Sequence, residues 1–368
     1  MHIPDNYLSV STCAVLTAAV VPVWAHSIKK VTKEFPRERF SALGVAAAFS
    51  FLAMMFNIPL PGGTTGHAVG GVVLAVLLGP EAACLSVTIA LLIQALLFGD
   101  GGILAFGANA FNIAFVMPFS GYYTFVFLRK LFSGGSKKPS GSGVSFSDYA
   151  ALAIASYVGL NLAALATAVQ FGIQPLLFTD ESGQALYCPY PLSVALPAMA
   201  IGHLTIFGAA EAIFSVAVYA FVAKTAPSFA ANESVLVPRL SEDAPEAEPL
   251  SEDAPESESK PSSRWGAIYL LLALLIAATP LGLLAEGTAW GEWGAEEIAE
   301  TMEVDGQALG YVPSAMENGF QWSAPIPDYA ASGLPDWLAY VLSAIAGVAA
   351  SIILFKLASA FMKDRSPV

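Results

Sequence analysis

Two of the four histidines in this 368-residue chain stand where histidine can do coordination chemistry. His2 follows Met1, and His67 closes the run Pro59-Leu-Pro-Gly-Gly-Thr-Thr-Gly-His67. Histidine in second place is too large for the usual removal of Met1, so a free α-amine is expected once the formyl group is gone. That amine, the His2 main-chain nitrogen and the His2 imidazole can close five- and six-membered chelate rings on one metal ion. Pro4 has no amide hydrogen and cannot extend the chelate. His67 can supply a fourth nitrogen. Such an all-nitrogen, near-planar set suits Ni(II) or Cu(II), with Co(II) possible. The plain alternatives are an ordinary chain start for His2 and a polar loop edge for His67.

The elements that must position these residues are legible nearby. Pro59–Gly66 favours irregular backbone, which membranes tolerate only where it is buried in protein or lines a cavity. From His67 to Pro80 a helix covers ~20 Å at 1.5 Å per residue, against a hydrocarbon core of ~30 Å. If its far end is cytoplasmic, His67 begins ~10 Å below the outer boundary. That describes a pocket sunk in the outer leaflet, where an ionisable residue is a functional-site candidate. Polar residues expected at similar depth are Asp5, Asn6, Thr64, Thr65, Gln94, Asn109 and Asn112. A metal-bound imidazole commonly donates its other nitrogen to such groups. His203, in Gly202-His-Leu-Thr, is a further candidate for the pocket wall. Glu211 is expected to pair within the bundle or to contact a partner, and His26, beside Lys29 and Lys30, reads as interfacial.

Composition sets the solvent. Apolar residues make up 56% and charged residues 12%, about half the ~25% of a soluble domain; mean hydropathy is +0.64. A soluble fold of this size would lack the charge to cover its surface, so the chain reads as an all-α integral membrane protein. Cys13, Cys84 and Cys188 show neither metal spacing nor a disulfide framework. A net charge of −13 excludes the usual basic nucleic-acid binder.

The basic residues cluster between long apolar runs near 9–28, 41–59, 69–80, 82–98, 109–129, 147–171, 193–223, 265–284 and 334–357. Basic loops stay cytoplasmic. Nine crossings that start outside put all 16 basic residues inside, an N-out/C-in topology. The outer segments 1–8, 60–68, 99–108, 172–192 and 285–333 then hold no Lys or Arg. Val23-Trp24-Ala25 is a weak signal-peptidase site, but no positive charge precedes the apolar run, so a retained anchor is expected.

Three parts follow. Residues 1–224 form a seven-span metal-binding body. Residues 225–263 form an acidic cytoplasmic linker, with Leu240-Ser-Glu-Asp-Ala-Pro-Glu246 repeated as Leu250-Ser-Glu-Asp-Ala-Pro-Glu256, too poor in apolar surface to fold. Residues 264–368 form a two-span hairpin. Its external loop, 285–333, carries nine acids and Trp290, Trp293 and Trp322, and reads as a solvated cap or as a loose collector of cations.

Met1-His-Ile-Pro-Asp5-Asn-Tyr-Leu-Ser9 resembles the start of the substrate-capture subunits of cobalt/nickel energy-coupling-factor transporters, the CbiM/NikM family. Pro61-Gly-Gly-Thr-Thr-Gly-His67 resembles their second motif. Phe98-Gly-Asp-Gly-Gly-Ile-Leu-Ala-Phe-Gly-Ala-Asn109 and Gly202-His203 to Glu211 are similar too, and the resemblance covers roughly residues 1–225. Asn6 departs from it, since many members carry Gly there; the turn becomes less permissive but no ligand is lost. The resemblance implies a metal site of the Met1 amine, the His2 main-chain and side-chain nitrogens and His67. It also implies Co²⁺ or Ni²⁺ as cargo, no catalytic residue or resident cofactor, and a multi-pass place in a prokaryotic inner membrane. The implied partners are a transmembrane coupling subunit and cytoplasmic ATPase subunits. Ala278-Thr-Pro-Leu-Gly-Leu-Leu284 and the acidic loop look like the small accessory subunit of these systems (CbiN/NikN), fused behind the linker.

The residues support part of this independently. No G-x-x-x-x-G-K-[ST] phosphate loop occurs, and Gly134-Gly-Ser-Lys-Lys has the wrong spacing, so uphill uptake needs an ATPase partner or an ion gradient. A stand-alone secondary transporter or channel is the runner-up, with Glu81 and Glu211 as its ion-coupling candidates. An intramembrane metalloenzyme ranks last, because there is no H-E-x-x-H and a planar site leaves no in-plane position for substrate. Planar nitrogen chemistry leans towards nickel. Ala108-Asn109 and the fused tail look more like members tied to cobalt supply for cobalamin synthesis, and the balance of the sequence leans to cobalt.

Overall fold

The computed structural model describes residues 1–35, 37–60, 64–132, 144–226, 262–285, 287–301, 303–304 and 307–361. Among them, seven helices are long and apolar enough to cross a membrane. In chain order the principal elements are α1 (Val10–Glu34), α2 (Arg37–Met54), β1 (Asn57–Leu60), β2 (Thr64–His67), α3 (Gly71–Leu78) and α4 (Pro80–Phe98). They continue with α5 (Phe106–Phe132), α6 (Phe146–Leu177), α7 (Leu192–Thr225), α8 (Trp265–Leu284) and α9 (Asp336–Ala360).

Two of the nine expected crossings take another form. The apolar part of α2, Phe40–Met54, is short. The span expected over 69–80 is the eight-residue α3, ~12 Å long at 1.5 Å per residue. Between them the chain is an antiparallel hairpin, with Asn57 opposite His67 and Leu60 opposite Thr64. The all-helical expectation is therefore corrected to a mostly helical fold with a hairpin at the site. Pro59 cannot continue a helix, and cross-strand pairing satisfies backbone groups that would otherwise be buried without partners.

Local chemistry sets the helix starts. Ser9 caps α1, its hydroxyl accepting the Thr12 N–H at 3.1 Å, and Lys33 in the last turn complements the helix dipole. Ser145 and Asp148 form a capping box that opens α6. Gly70, in the left-handed region at φ +71°, turns the chain from β2 into α3.

α3 is the centre of the core. Gly71 through Leu77 are buried, and Val72 packs against Gly121 of α5 and Gly159 of α6. A helix apolar on all sides belongs inside a bundle. In α4 72% of the spanning window is buried; in α1 and α8 only 17% is, which leaves apolar flanks suited to lipid. α9 packs along α2, Gly44 meeting Ile352 and Phe355, and Gly347 meeting the Phe51 ring.

Between α8 and α9 the chain forms two short helices, Ala295–Thr301 and Ser314–Asn318, and a small two-stranded ribbon pairing Glu303 with Ala308. This segment lies against the ends of the body. Trp322 Nε1 donates to the Leu96 carbonyl at 3.2 Å, Ile326 N–H to that of Leu97 at 2.9 Å, and the Ala185 N–H to the Tyr311 hydroxyl at 3.0 Å. The linker expected over 225–263 falls almost entirely outside the described residues.

Candidate metal centre

The N-terminal segment is held by its backbone. Ile3 N–H donates to Asn109 Oδ1 at 2.7 Å, and the Ile3 carbonyl accepts from Asn109 Nδ2 at 3.0 Å and from the Gly102 N–H at 2.8 Å. The Asp5 carboxylate accepts from the N–H groups of Ile103, Leu104 and Ala105, at 3.0, 2.7 and 3.4 Å. Asn6 sits at φ +68°, the left-handed turn that glycine makes most easily. Its side chain exchanges two bonds with the Phe320 backbone, at 2.8 and 3.0 Å, and those bonds support the turn. The result buries Met1 and His2, which are 5% and 2% exposed.

β2 delivers His67 to the same place. The His2 and His67 rings lie 4.9 Å apart between centroids, tilted by 33°. His67 Nδ1 bonds to the Ala68 carbonyl at 3.2 Å. A carbonyl only accepts, so Nδ1 carries the hydrogen and Nε2 of the neutral ring keeps its lone pair. Burial, together with the nearby charges of His2 and the amine, holds His67 well below the usual imidazole range, in the form that ligates a metal. Gly66 is required here, since a Cβ would meet the Phe207 ring at 2.7 Å.

Carboxylates hold the other two groups of the expected set. The Met1 amine pairs with Glu292 Oε1 at 2.7 Å, and His2 Nδ1 with Asp100 Oδ1 at 2.6 Å. His2 Nε2 is buried with no hydrogen-bond partner. Asp100 Oδ2 accepts from the Tyr329 hydroxyl and from Gln94 Nε2, the latter at 3.1 Å. Burial opposes the Asp100 charge, yet His2 and the Tyr329 hydroxyl keep its carboxyl below the ordinary range. Burial and Asp100 keep Tyr329 protonated well above the normal phenol range.

A cavity of about 20 Å³ adjoins the group, lined among others by Met1, Thr64, Thr65, His67, His203 and Trp290. That is room for about one water-sized occupant. His203 Nδ1 donates to the Met199 carbonyl at 2.8 Å.

The expected residues thus separate by role. Asp5 and Asn109 fix the ligand-bearing backbone, Asn6 makes the turn, Gln94 reaches His2 through Asp100, and Thr64, Thr65 and His203 line the cavity. Asn112 belongs elsewhere, bonded to Thr167 and Gln170. The imidazole partners come from outside the expected set: Asp100 for His2 and the Ala68 carbonyl for His67. Asp100 was visible as an acid between glycines in Phe98-Gly-Asp-Gly-Gly. Glu292 and Tyr329 stood only as members of an acidic, aromatic loop. Among the described residues no three His, Cys, Asp or Glu side chains gather as a metal site. The six-membered chelate ring needs His2 Nδ1, the nitrogen that faces Asp100.

Comparison with known proteins gives the family. Residues 2–229 match the family described as the cobalt uptake substrate-specific transmembrane region, CbiM. The chain belongs to that family. Residues 264–364 match the PDGLE domain, so a CbiM region is followed by a PDGLE region in one polypeptide. A probable fused nickel transport protein, LarMN, of Lactiplantibacillus plantarum is 42% identical, with 97% of each chain covered. The fused nickel transport protein NikMN of Rhodobacter capsulatus is 45% identical over 95% of this chain and 94% of its own. A crystal structure of a truncated transition metal transporter is 50% identical and superposes with a TM-score of 0.55, covering 61% of this chain and 99% of its own. This member of the CbiM family is a multi-pass prokaryotic membrane protein of nickel/cobalt uptake.

Proposed function

We propose that the chain captures Ni²⁺ at the outer face through the Met1 amine, the main-chain and imidazole nitrogens of His2, and His67. It then passes the ion to uptake driven by a transmembrane coupling subunit and cytoplasmic ATPase subunits. The observation that carries this reading is the pairing of two buried imidazoles, 4.9 Å apart, beside a buried α-amine. Nickel is preferred to the cobalt towards which the sequence leans. Two relatives aligned over nearly the whole chain are nickel transport proteins, whereas two relatives named for cobalt align over 36% and 39% of it. Near-planar nitrogen coordination favours the same ion.

Capture is an exchange of contacts and of protons: the amine leaves Glu292 and gives up a proton, the His2 main-chain N–H gives up its proton to water, and His2 Nδ1 leaves Asp100. Chelation makes simple dissociation slow, so inward release follows movements that ATP drives in the partner subunits. The basic clusters support the N-out orientation, and residues 264–368 act as the fused accessory hairpin. A stand-alone secondary transporter loses its coupling groups, since Glu81 pairs with Lys30 at 2.8 Å and Glu211 is bonded to backbone.

Metal stoichiometry by mass spectrometry tests the reading, on protein with its native start, with two residues ahead of Met1, and with His67→Ala. About one nickel carried through purification on the first and little on the others, which bind it only weakly, is the expected outcome. Unchanged metal on the extended chain removes the amine from the ligand set.

A further inference from the structure

Glu211 is fully buried in α7 and is not a ligand in the set above. Its Oε2 accepts the Val69 N–H at 2.7 Å, and the Gly70 N–H lies 3.1 and 3.2 Å from its two oxygens; Ser215 Oγ donates to Oε1 at 3.3 Å. Burying a carboxylate is costly even when it is well hydrogen-bonded. An apolar side chain could join α7 to its neighbours more cheaply, so the position of these bonds matters.

The Val69 N–H belongs to the peptide unit that joins Ala68 to Val69. The carbonyl of that same unit is the one that accepts from His67 Nδ1. A peptide unit is planar and rigid, so holding its N–H fixes the direction of its C=O. An acceptor held on the N–H also polarises the amide and strengthens the carbonyl as an acceptor, because linked hydrogen bonds reinforce one another. The familiar device in metal sites is a carboxylate bonded directly to the outer nitrogen of a ligating histidine. Here one peptide plane stands between the two.

We propose that Glu211 is the positioning residue for His67, acting through the Ala68–Val69 peptide to fix the ring and aim Nε2 at the metal. The proposal rests on the reading of His67 as a ligand. It also makes α7, the helix whose His203 lines the cavity, the element to which the His67 ring is tied.

The test is a double-mutant cycle in the full-length chain with its native start, with nickel chloride as the probe. Affinity is read by competition with a chelator, and the ligand-field absorption band reports the donor set. Glu211→Gln keeps the shape but gives one of the two backbone N–H groups a donor instead of an acceptor. It is expected to weaken nickel binding about tenfold, the low end for loss of a metal ligand's outer partner, and to move the band towards that of His67→Ala. In the His67→Ala background the same change is expected to alter affinity less than about twofold, because its effect passes through His67. Should Glu211→Gln fail to fold, Glu211→Asp, which keeps the charge but withdraws it, carries the same expectation. Equal losses in both backgrounds, or no loss in the native one, overturn the proposal. Unchanged nickel binding in His67→Ala by itself overturns the ligand set instead, so the two failures are told apart.

Discussion

The N-terminal segment is gripped from two sides in different ways. On the body side, Asn109 bonds to both polar groups of Ile3, and three successive N–H groups at 103–105 donate to the Asp5 carboxylate of the segment. From the region between α8 and α9, Glu292 bonds to the charged amine and Tyr329 to the carboxylate that holds His2. Asn109 is buried, whereas the Glu292 side chain is 20% exposed. Main-chain bonds made in a dry interior decide where the donor atoms lie. Partly solvated bonds to the donors themselves decide what an arriving cation must displace. The body therefore positions the N-terminal segment, and the C-terminal region occupies the Met1 amine and, through Asp100, reaches His2.

That division predicts effects of opposite sign. The largest is expected from Asn109→Ala, which strips two buried bonds from Ile3, each worth ~1–1.5 kcal/mol. Nickel affinity should fall about 30- to 150-fold, measured by chelator competition; a loss under threefold would break the comparison. Asp5→Ala should cost about tenfold, with a lower thermal midpoint in the same preparation, since its three bonds are only part-buried and water can take over the freed N–H groups. Glu292→Gln should act the other way. A partly exposed ion pair contributes ~0.2–1 kcal/mol, so freeing the amine should tighten nickel binding by up to about fivefold and raise the association rate in stopped-flow mixing. Weaker binding in that variant would make Glu292 part of the site and not its competitor. The smallest change is expected from Tyr329→Phe, about twofold in the same direction, because Asp100 keeps its bonds to Gln94 and His2.

What was legible in the sequence follows the reach of each interaction. Long apolar helices show locally, which is why α1, α4 to α7, α8 and α9 stand close to the expected spans. The hairpin at 57–67 did not show: four-residue strands carry almost no alternation, and the Pro-Gly run between them reads as loop whether or not its flanks pair. Asn6 was noted as a departure from glycine, and its left-handed φ is the conformation that glycine adopts most easily. Glu211 was visible as a buried acid, but not the peptide it holds, which lies 142 residues away.

Met1 and His2 are consecutive, so covalent geometry alone brings an amine, a main-chain nitrogen and an imidazole within reach of one ion, whatever the rest of the chain does. The charge clusters likewise order the spans through a local preference for one side of the membrane. His67, the fourth nitrogen, arrives only because a hairpin and a short helix stop where they do. The carboxylates on the amine and on His2 come from 291 and 98 residues away. Proximity over such separations has no local signature, because it depends on how all the intervening helices pack, and only the folded chain supplies it.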